Sequence, residues 1–127
     1  MRVEVEVNPT EDSSKVRRAV ENVFGSMEFT ETSHRRGSLL LAQSQNSDTL
    51  SHFGSLLRRE RIRAAARAVL FKGRKDKTLA FCVNKQVAFA GHVSFCEPVA
   101  ESPLGPIRVE ITCDDPVKAI GLLAPRT

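Results

Sequence analysis

The stretch "TLAFCVNKQVAFAGHVSF", residues 78–95, decides the fold. In its first half Leu79, Phe81 and Val83 alternate with Ala80 and Cys82, the period-two pattern of a strand with one buried face. In its second half Val87, Phe89, Gly91, Val93 and Phe95 keep that period, so 86–95 reads as a second strand with Gly91 as a bulge. Asn84, Lys85 and Gln86 would form the tight connection between them. A turn at "SPLGP" (102–106) leads to "IRVEITC" (107–113), where Ile107, Val109 and Ile111 face inward. Three strands in succession, with no helical crossover between them, predict antiparallel pairing.

Upstream, strands and helices alternate. "RVEVEVN" (2–8) puts Val3, Val5 and Val7 on one side and Arg2, Glu4 and Glu6 on the other. "PTEDSSKVRRAVENVFG" (9–25) is a helix, with Thr10 as cap, Glu11 and Asp12 at its positive start, and Gly25 at its end. Val16, Ala19, Val20 and Val23 form its apolar stripe. "MEFTETS" (27–33) and "SLLLAQS" (38–44) read as a strand pair, turning at 34–37. From Ser47 to Phe71 the pattern is helical, with Ser47 or Asp48 as cap. Its apolar positions run Leu50, Phe53, Leu57, then Ile62, Ala66, Val69. The five-residue step from Leu57 to Ile62 breaks the helical period, so a break near Arg59 to Arg61 should divide this segment into two helices. Residues 72–77 read as a basic loop. "DDPVKAIGLLAP" (114–125) is a closing helix, capped by Asp114 or Asp115 with Pro116 in its first turn. The order β-α-β-β-α-α-β-β-β-α predicts an α+β two-layer sandwich over residues 1–127, one domain, with a mostly antiparallel sheet and helices on one face.

Charge is distributed unevenly over this frame. The chain has 19 basic and 15 acidic residues, a net +4. Residues 56–77, "LLRRERIRAAARAVLFKGRKDK", hold nine basic against two acidic residues, a net +7, leaving ten against thirteen, or −3, for the rest. One explanation is a solvated or ion-paired helix face, with cations such as Lys72 and Lys75 complementing the helix dipole. The other is a phosphate-binding surface made by Arg58, Arg59, Arg61, Arg63, Arg67, Lys72, Arg74, Lys75 and Lys77, with Lys85 as a further contact. Arginine's planar donor fork binds phosphate bidentately, and a purely solvated run would mix signs more evenly. Phe81, Phe89 and Phe95 share the parity of the buried valines and are expected in the core. The chain has no Trp or Tyr, so an RNA partner would be held by its backbone with little sequence readout.

Other chemistries find little in the sequence. Cys82, Cys96 and Cys113 are an odd number without a C-x-x-C pair, which argues against a disulfide framework or a zinc site, and no cofactor is expected. Cys82 and His92 would project from one sheet face as a nucleophile and base, but a small Cys on a strand is ordinary packing. Asp114 and Asp115 precede a proline and read as a helix cap, and no P-loop pattern is present. The expected protein is not an enzyme. No apolar run has membrane-spanning length and "MRVEVEVN" does not read as a signal peptide, so the expected location is the cytoplasm. The open sheet face would carry Ala80, Cys82, Ala88 and Ala90, small enough to pair with a second copy. A non-catalytic module whose arginines bind an acidic protein partner is the alternative to RNA binding.

Several blocks together carry a resemblance: "VEVEVNPTED", "RRERIRAAARAVL" with "FKGR", "LAFCVNKQVAFAGHVSF", "PLGPIRVEI" with "DDP", and "LAPRT". They resemble an archaeal family of small proteins labelled RNA-binding, and the likeness covers nearly the whole chain. That resemblance implies a fold like that of the fifth protein of the large ribosomal subunit, and a role as an accessory of the archaeal exosome. It brings no catalytic residues.

Overall fold

The computed structural model describes residues 1–34, 37–44, 47–96 and 106–124. Its elements run β1 (Arg2–Val7), α1 (Ser13–Phe24), β2 (Phe29–His34), β3 (Gly37–Gln43), α2 (Ser47–Arg59), α3 (Arg63–Lys72), β4 (Arg74–Lys75), β5 (Thr78–Val83), α4 (Lys85–Phe89), β6 (Phe95–Cys96), β7 (Ile107–Thr112) and α5 (Pro116–Leu123). The strands form one sheet in the order β2-β3-β1-β7-β5-β4, with β6 also paired to β5. Every pairing is antiparallel.

The period-two pattern sets the register. Val3 lies between Ala42 and Val109, and Phe81 follows opposite Val109, so one row of apolar side chains crosses four strands. Val5, Leu40, Ile107 and Val83 make the next row. All eight are buried in one core. Onto that face pack Val16, Ala19, Val20 and Val23 of α1, Phe53 and Leu57 of α2, Ala66 and Leu70 of α3, and Ile120 of α5. Phe53 joins the layers, with its ring centroid 5.0 Å from Phe24 and 5.4 Å from Phe81. The opposite strand positions bring up Arg2, Glu4, Glu6, Arg108 and Glu110. The expected α+β sheet with helices on one face is therefore observed.

One strand is overturned. Residues 85–89 are the helix α4, and only Phe95–Cys96 extends as β6. Asn84 is the cap, its side chain accepting from the Val87 N–H at 3.0 Å. Gly91, at φ +88°, closes the far end, its N–H donating to Ala88 O at 3.0 Å. The Asn22 amide of α1 donates to Ala88 O at 3.1 Å and Phe89 O at 3.2 Å, tying this short helix down. Two caps and an outside donor outweigh the β preference of Val87 and Phe89. Gly91 is therefore a helix terminator, not a bulge. Phe89 is 45% exposed rather than in the core, whereas Phe81 is buried.

Smaller departures have local causes. Asp12, not Thr10, caps α1, accepting from Ser14 N at 2.9 Å. The basic loop at 72–77 contains β4, whose Arg74 and Lys75 pair with Leu79 and Thr78. Gly73 makes this possible: Ala80 N donates to Gly73 O at 3.0 Å, and a Cβ on residue 73 would lie 1.8 Å from Ala80 O. The side chains of Ser47 and Asp48, the middle of the 34–37 turn and residues 102–105 of "SPLGP" lie outside the described residues.

Candidate nucleic-acid interface

The interface begins where α2 stops. Ile62 N donates to Leu57 O and Arg61 N to Arg58 O, both at 3.2 Å, the two bonds of a Schellman ending. Half-buried Ile62 joins the core that holds Leu57. The motif needs a left-handed residue at its turn, and Arg61 occupies that place at φ +58°. Glycine is the usual choice there, because a side chain costs about 1–2 kcal/mol in that conformation. The predicted break thus lies where expected, and an arginine carries its strain.

From the break the positive charge runs along α3 and into the β4–β5 hairpin. Arg58, Arg59, Arg61, Lys72, Arg74, Lys75 and Lys77 are exposed, while Arg63 and Arg67 are half-buried. Ala66 and Leu70 face the core, so Arg63, Arg67 and Phe71, spaced by four, form a row on one flank of the helix. Arg67 is fixed: its Nη1 donates to Ala124 O at 3.3 Å, and its guanidinium lies 5.0 Å from the centre of the Phe71 ring. Among the described residues, no ion pair engages Arg58, Arg59, Arg61, Arg63, Arg74, Lys75 or Lys77. Glu60, the acid inside the arginine run, is turned to His92, whose Nδ1 lies 2.6 Å from its Oε1. Glu31 is held by Arg17 at 2.9 Å. The cations of β4 have a second effect: β4 ends the sheet, and charge there discourages pairing with another strand.

Lys85 does not belong to this surface. It is 5% exposed, and its Nζ donates to Glu6 O at 2.7 Å and to Glu11 Oε1 at 3.1 Å. This buried pair fastens α4 to the β1–α1 connection. Burial pushes the Glu11 carboxyl up, but hydrogen bonds from the Asn8 backbone and side chain, and then the Lys85 ammonium, outweigh it and hold the group below its ordinary value of 4.5. The surface expected to receive a second copy is also altered. Ala88 is buried in α4 and Ala90 is its C-cap, so neither stands on the open sheet face, and Cys82 is itself buried, which leaves only Ala80 of the four exposed on a strand.

The considered catalytic pair is not assembled either. His92 lies outside the strands and is turned to Glu60, while Cys82 sits opposite Cys96 in the register. Asp115 is a helix cap, accepting from Lys118 N at 3.1 Å. Among the described residues, no cluster of three or more His, Cys, Asp or Glu side chains could hold a metal ion. No described helix is long and apolar enough to cross a membrane. Sequence reading missed the left-handed Arg61, the Glu60–His92 pair and the 36% exposure of Phe71. Phe71 had a signal: it is one position past the buried Leu70 and falls off the apolar stripe.

Fold and surface together define an antiparallel α+β protein with exposed arginines along one helix–hairpin edge. The comparisons agree with that class. Residues 1–113 match the model of a family described as RNA binding. The chain is 42% identical over 125 residues to the UPF0201 protein of Sulfolobus acidocaldarius, covering 98% of this chain and 86% of that one. It is 43% identical over 130 residues to the UPF0201 protein of Pyrobaculum aerophilum, covering 100% of this chain and 91% of that one. The crystal structure of the UPF0201 protein from Methanococcus jannaschii superposes with a TM-score of 0.85 at 32% identity, covering 99% of this chain and 92% of that one. The chain belongs to the UPF0201 family.

Proposed function

We propose that this protein binds RNA without catalysing its turnover, gripping phosphates with the cations of α2, α3 and the β4–β5 hairpin. The observation that carries the reading is the set of exposed cations Arg58, Arg59, Arg61, Arg74, Lys75 and Lys77, which no acid neutralises among the described residues. The ten residues of α3 span about 15 Å, so Arg61 and Arg74 stand far enough apart to hold several phosphates at once. The family description agrees with this role. Holding or delivering RNA within a larger processing assembly such as the exosome is the cellular task that fits a binder of this kind.

The test is fluorescence anisotropy of a labelled mixed-sequence RNA across a salt series. The natural chain is compared with an Arg58→Glu, Arg59→Glu, Arg74→Glu variant. All three side chains are exposed and none is in an ion pair among the described residues, so the fold should hold. The expected result is salt-sensitive binding, log K falling by about 0.7 per contact for each decade of salt, largely lost in the variant. Absent binding at low salt, or equal binding by both proteins, overturns the reading. A partner protein retained from nuclease-treated extract through the same arginines would make this a protein-docking surface instead.

A further inference from the structure

The cationic edge contains one aromatic side chain that the core does not need. Phe71, in the last turn of α3, is 36% exposed, while its neighbour Leu70 is fully buried. The ring does not stand alone. The Arg67 guanidinium, one turn earlier, lies 5.0 Å from its centroid and is fixed by its hydrogen bond to Ala124 O. Arg63 continues the row in one direction, and Lys72 and Arg74 follow Phe71 in the other. A guanidinium held over an aromatic ring, with positive charge on both sides, presents π surface beside phosphate contacts.

From this juxtaposition we infer that Phe71 and Arg67 form a stacking platform for an unpaired base, so that the RNA bound here is single-stranded at this point. The inference rests on the RNA-binding reading and deepens it. In a duplex each base is already stacked on both faces, and a side chain on a convex helix surface has no access to it. In a single strand the base turns out, and its π face meets the ring while its phosphates meet the cations. Every base has such a face, so the contact adds affinity without sequence preference. The platform is preorganised, because the Ala124 carbonyl and the Phe71 ring already hold Arg67 before RNA arrives.

The chain has no Trp and no Tyr, which makes a single-tryptophan experiment clean. Phe71→Trp puts a lone indole at the platform, and Phe71→Leu keeps the apolar cover without the π face. Each is titrated with an unstructured single-stranded RNA and with a duplex of equal length, beside the natural chain. A stacked base is worth about 5- to 150-fold in affinity. Phe71→Leu should therefore weaken single-strand binding within that range, with the salt slope unchanged and duplex binding unaffected. Phe71→Trp should keep its affinity, and its emission should be quenched as the single strand saturates. If Phe71→Leu binds the single strand as the natural chain does, or the indole emission does not change at saturation, the stacking platform is refuted and the phosphate grip stands. If the natural chain binds neither RNA at low salt, the binding reading fails and this inference falls with it.

Discussion

Replacing Arg61 by glycine should make the protein more stable and a poorer RNA binder. Arg61 holds the left-handed turn of the Schellman ending at φ +58°. Relieving that conformation should recover about 1–2 kcal/mol. Glycine's extra freedom in the unfolded chain costs back about 0.5–1 kcal/mol. The net expectation is a gain of about 0.5–1 kcal/mol, a rise in Tm of about 2–5 °C for a domain of this size. The binding change runs the other way. One lost phosphate contact removes about 0.7 from the salt slope on a single strand, roughly a fivefold loss of affinity at 0.1 M salt. Arg61→Lys separates the two effects: it keeps both charge and strain, and should keep both the slope and the Tm. Thermal unfolding and salt-titrated anisotropy measure the two arms. If Arg61→Gly binds with unchanged slope, Arg61 is not a phosphate ligand. If it destabilises the fold by about 1 kcal/mol or more, the strain assigned to this turn is wrong.

Three further outcomes follow from the buried structure. Lys85→Met leaves the Glu11 carboxylate, whose side chain is 12% exposed, with only its Asn8 hydrogen bonds, and should cost about 1.5–3 kcal/mol, read as a lower urea midpoint. The Glu11 carboxyl is held below its ordinary 4.5, so its contribution to stability is complete above about pH 4.5 and declines as the pH falls through the lower folded value. Glu11→Gln should flatten that acid limb in a pH series of chemical melts, and an unchanged limb would contradict the assignment. Gly73→Ala places a Cβ against the Ala80 carbonyl, at 1.8 Å before any shift, and should lose at least about 1–3 kcal/mol with weakened protection of the Ala80 amide in hydrogen exchange.

How much of this was legible depends on which physical signal each element uses. β1, β7 and the apolar stripe of α1 follow from periodicity alone, because their buried residues repeat without interruption, whereas β5 is legible from the spacing of Leu79, Phe81 and Val83 although Cys82 between them is buried as well. The break between α2 and α3 was visible as a phase error, the five-residue step from Leu57 to Ile62. Helix α4 was not, because five residues cannot express a 3.6-residue period, and Val87, Phe89, Gly91, Val93 and Phe95 coincide with a strand pattern. The better signals were Asn84 and Gly91, a cap and a left-handed stop seven residues apart. At the site, the clustering of arginine is a property of the sequence itself. The fate of Lys85 is not: its partner Glu11 is 74 residues away, and only the tertiary fold brings them to 3.1 Å.

The placement of Arg61 and Arg63 also argues against stability as their reason. Arg58 and Arg59 end α2 and Lys72 ends α3, where the negative pole of a helix favours positive charge by about 0.3–1 kcal/mol each. Those three need no partner to explain them. Arg63 is different. It is the first residue of α3, at the positive pole, in a first turn with no acidic residue and behind an Ile62 that offers no capping side chain. An Asp or Ser at the cap and a Glu in the first turn would stabilise the helix, whereas Arg63 weakens it. Arg61 beside it sits in a conformation that favours glycine. Two positions on either side of Ile62 therefore hold arginine where backbone geometry, at 61, and the helix field, at 63, favour something else. A ligand that brings its own negative charge to this end of α3 reverses both the field and the repulsion among these arginines. Under the proposed role RNA phosphate would do so, and the stability given up at residues 61 and 63 would then be recovered on binding.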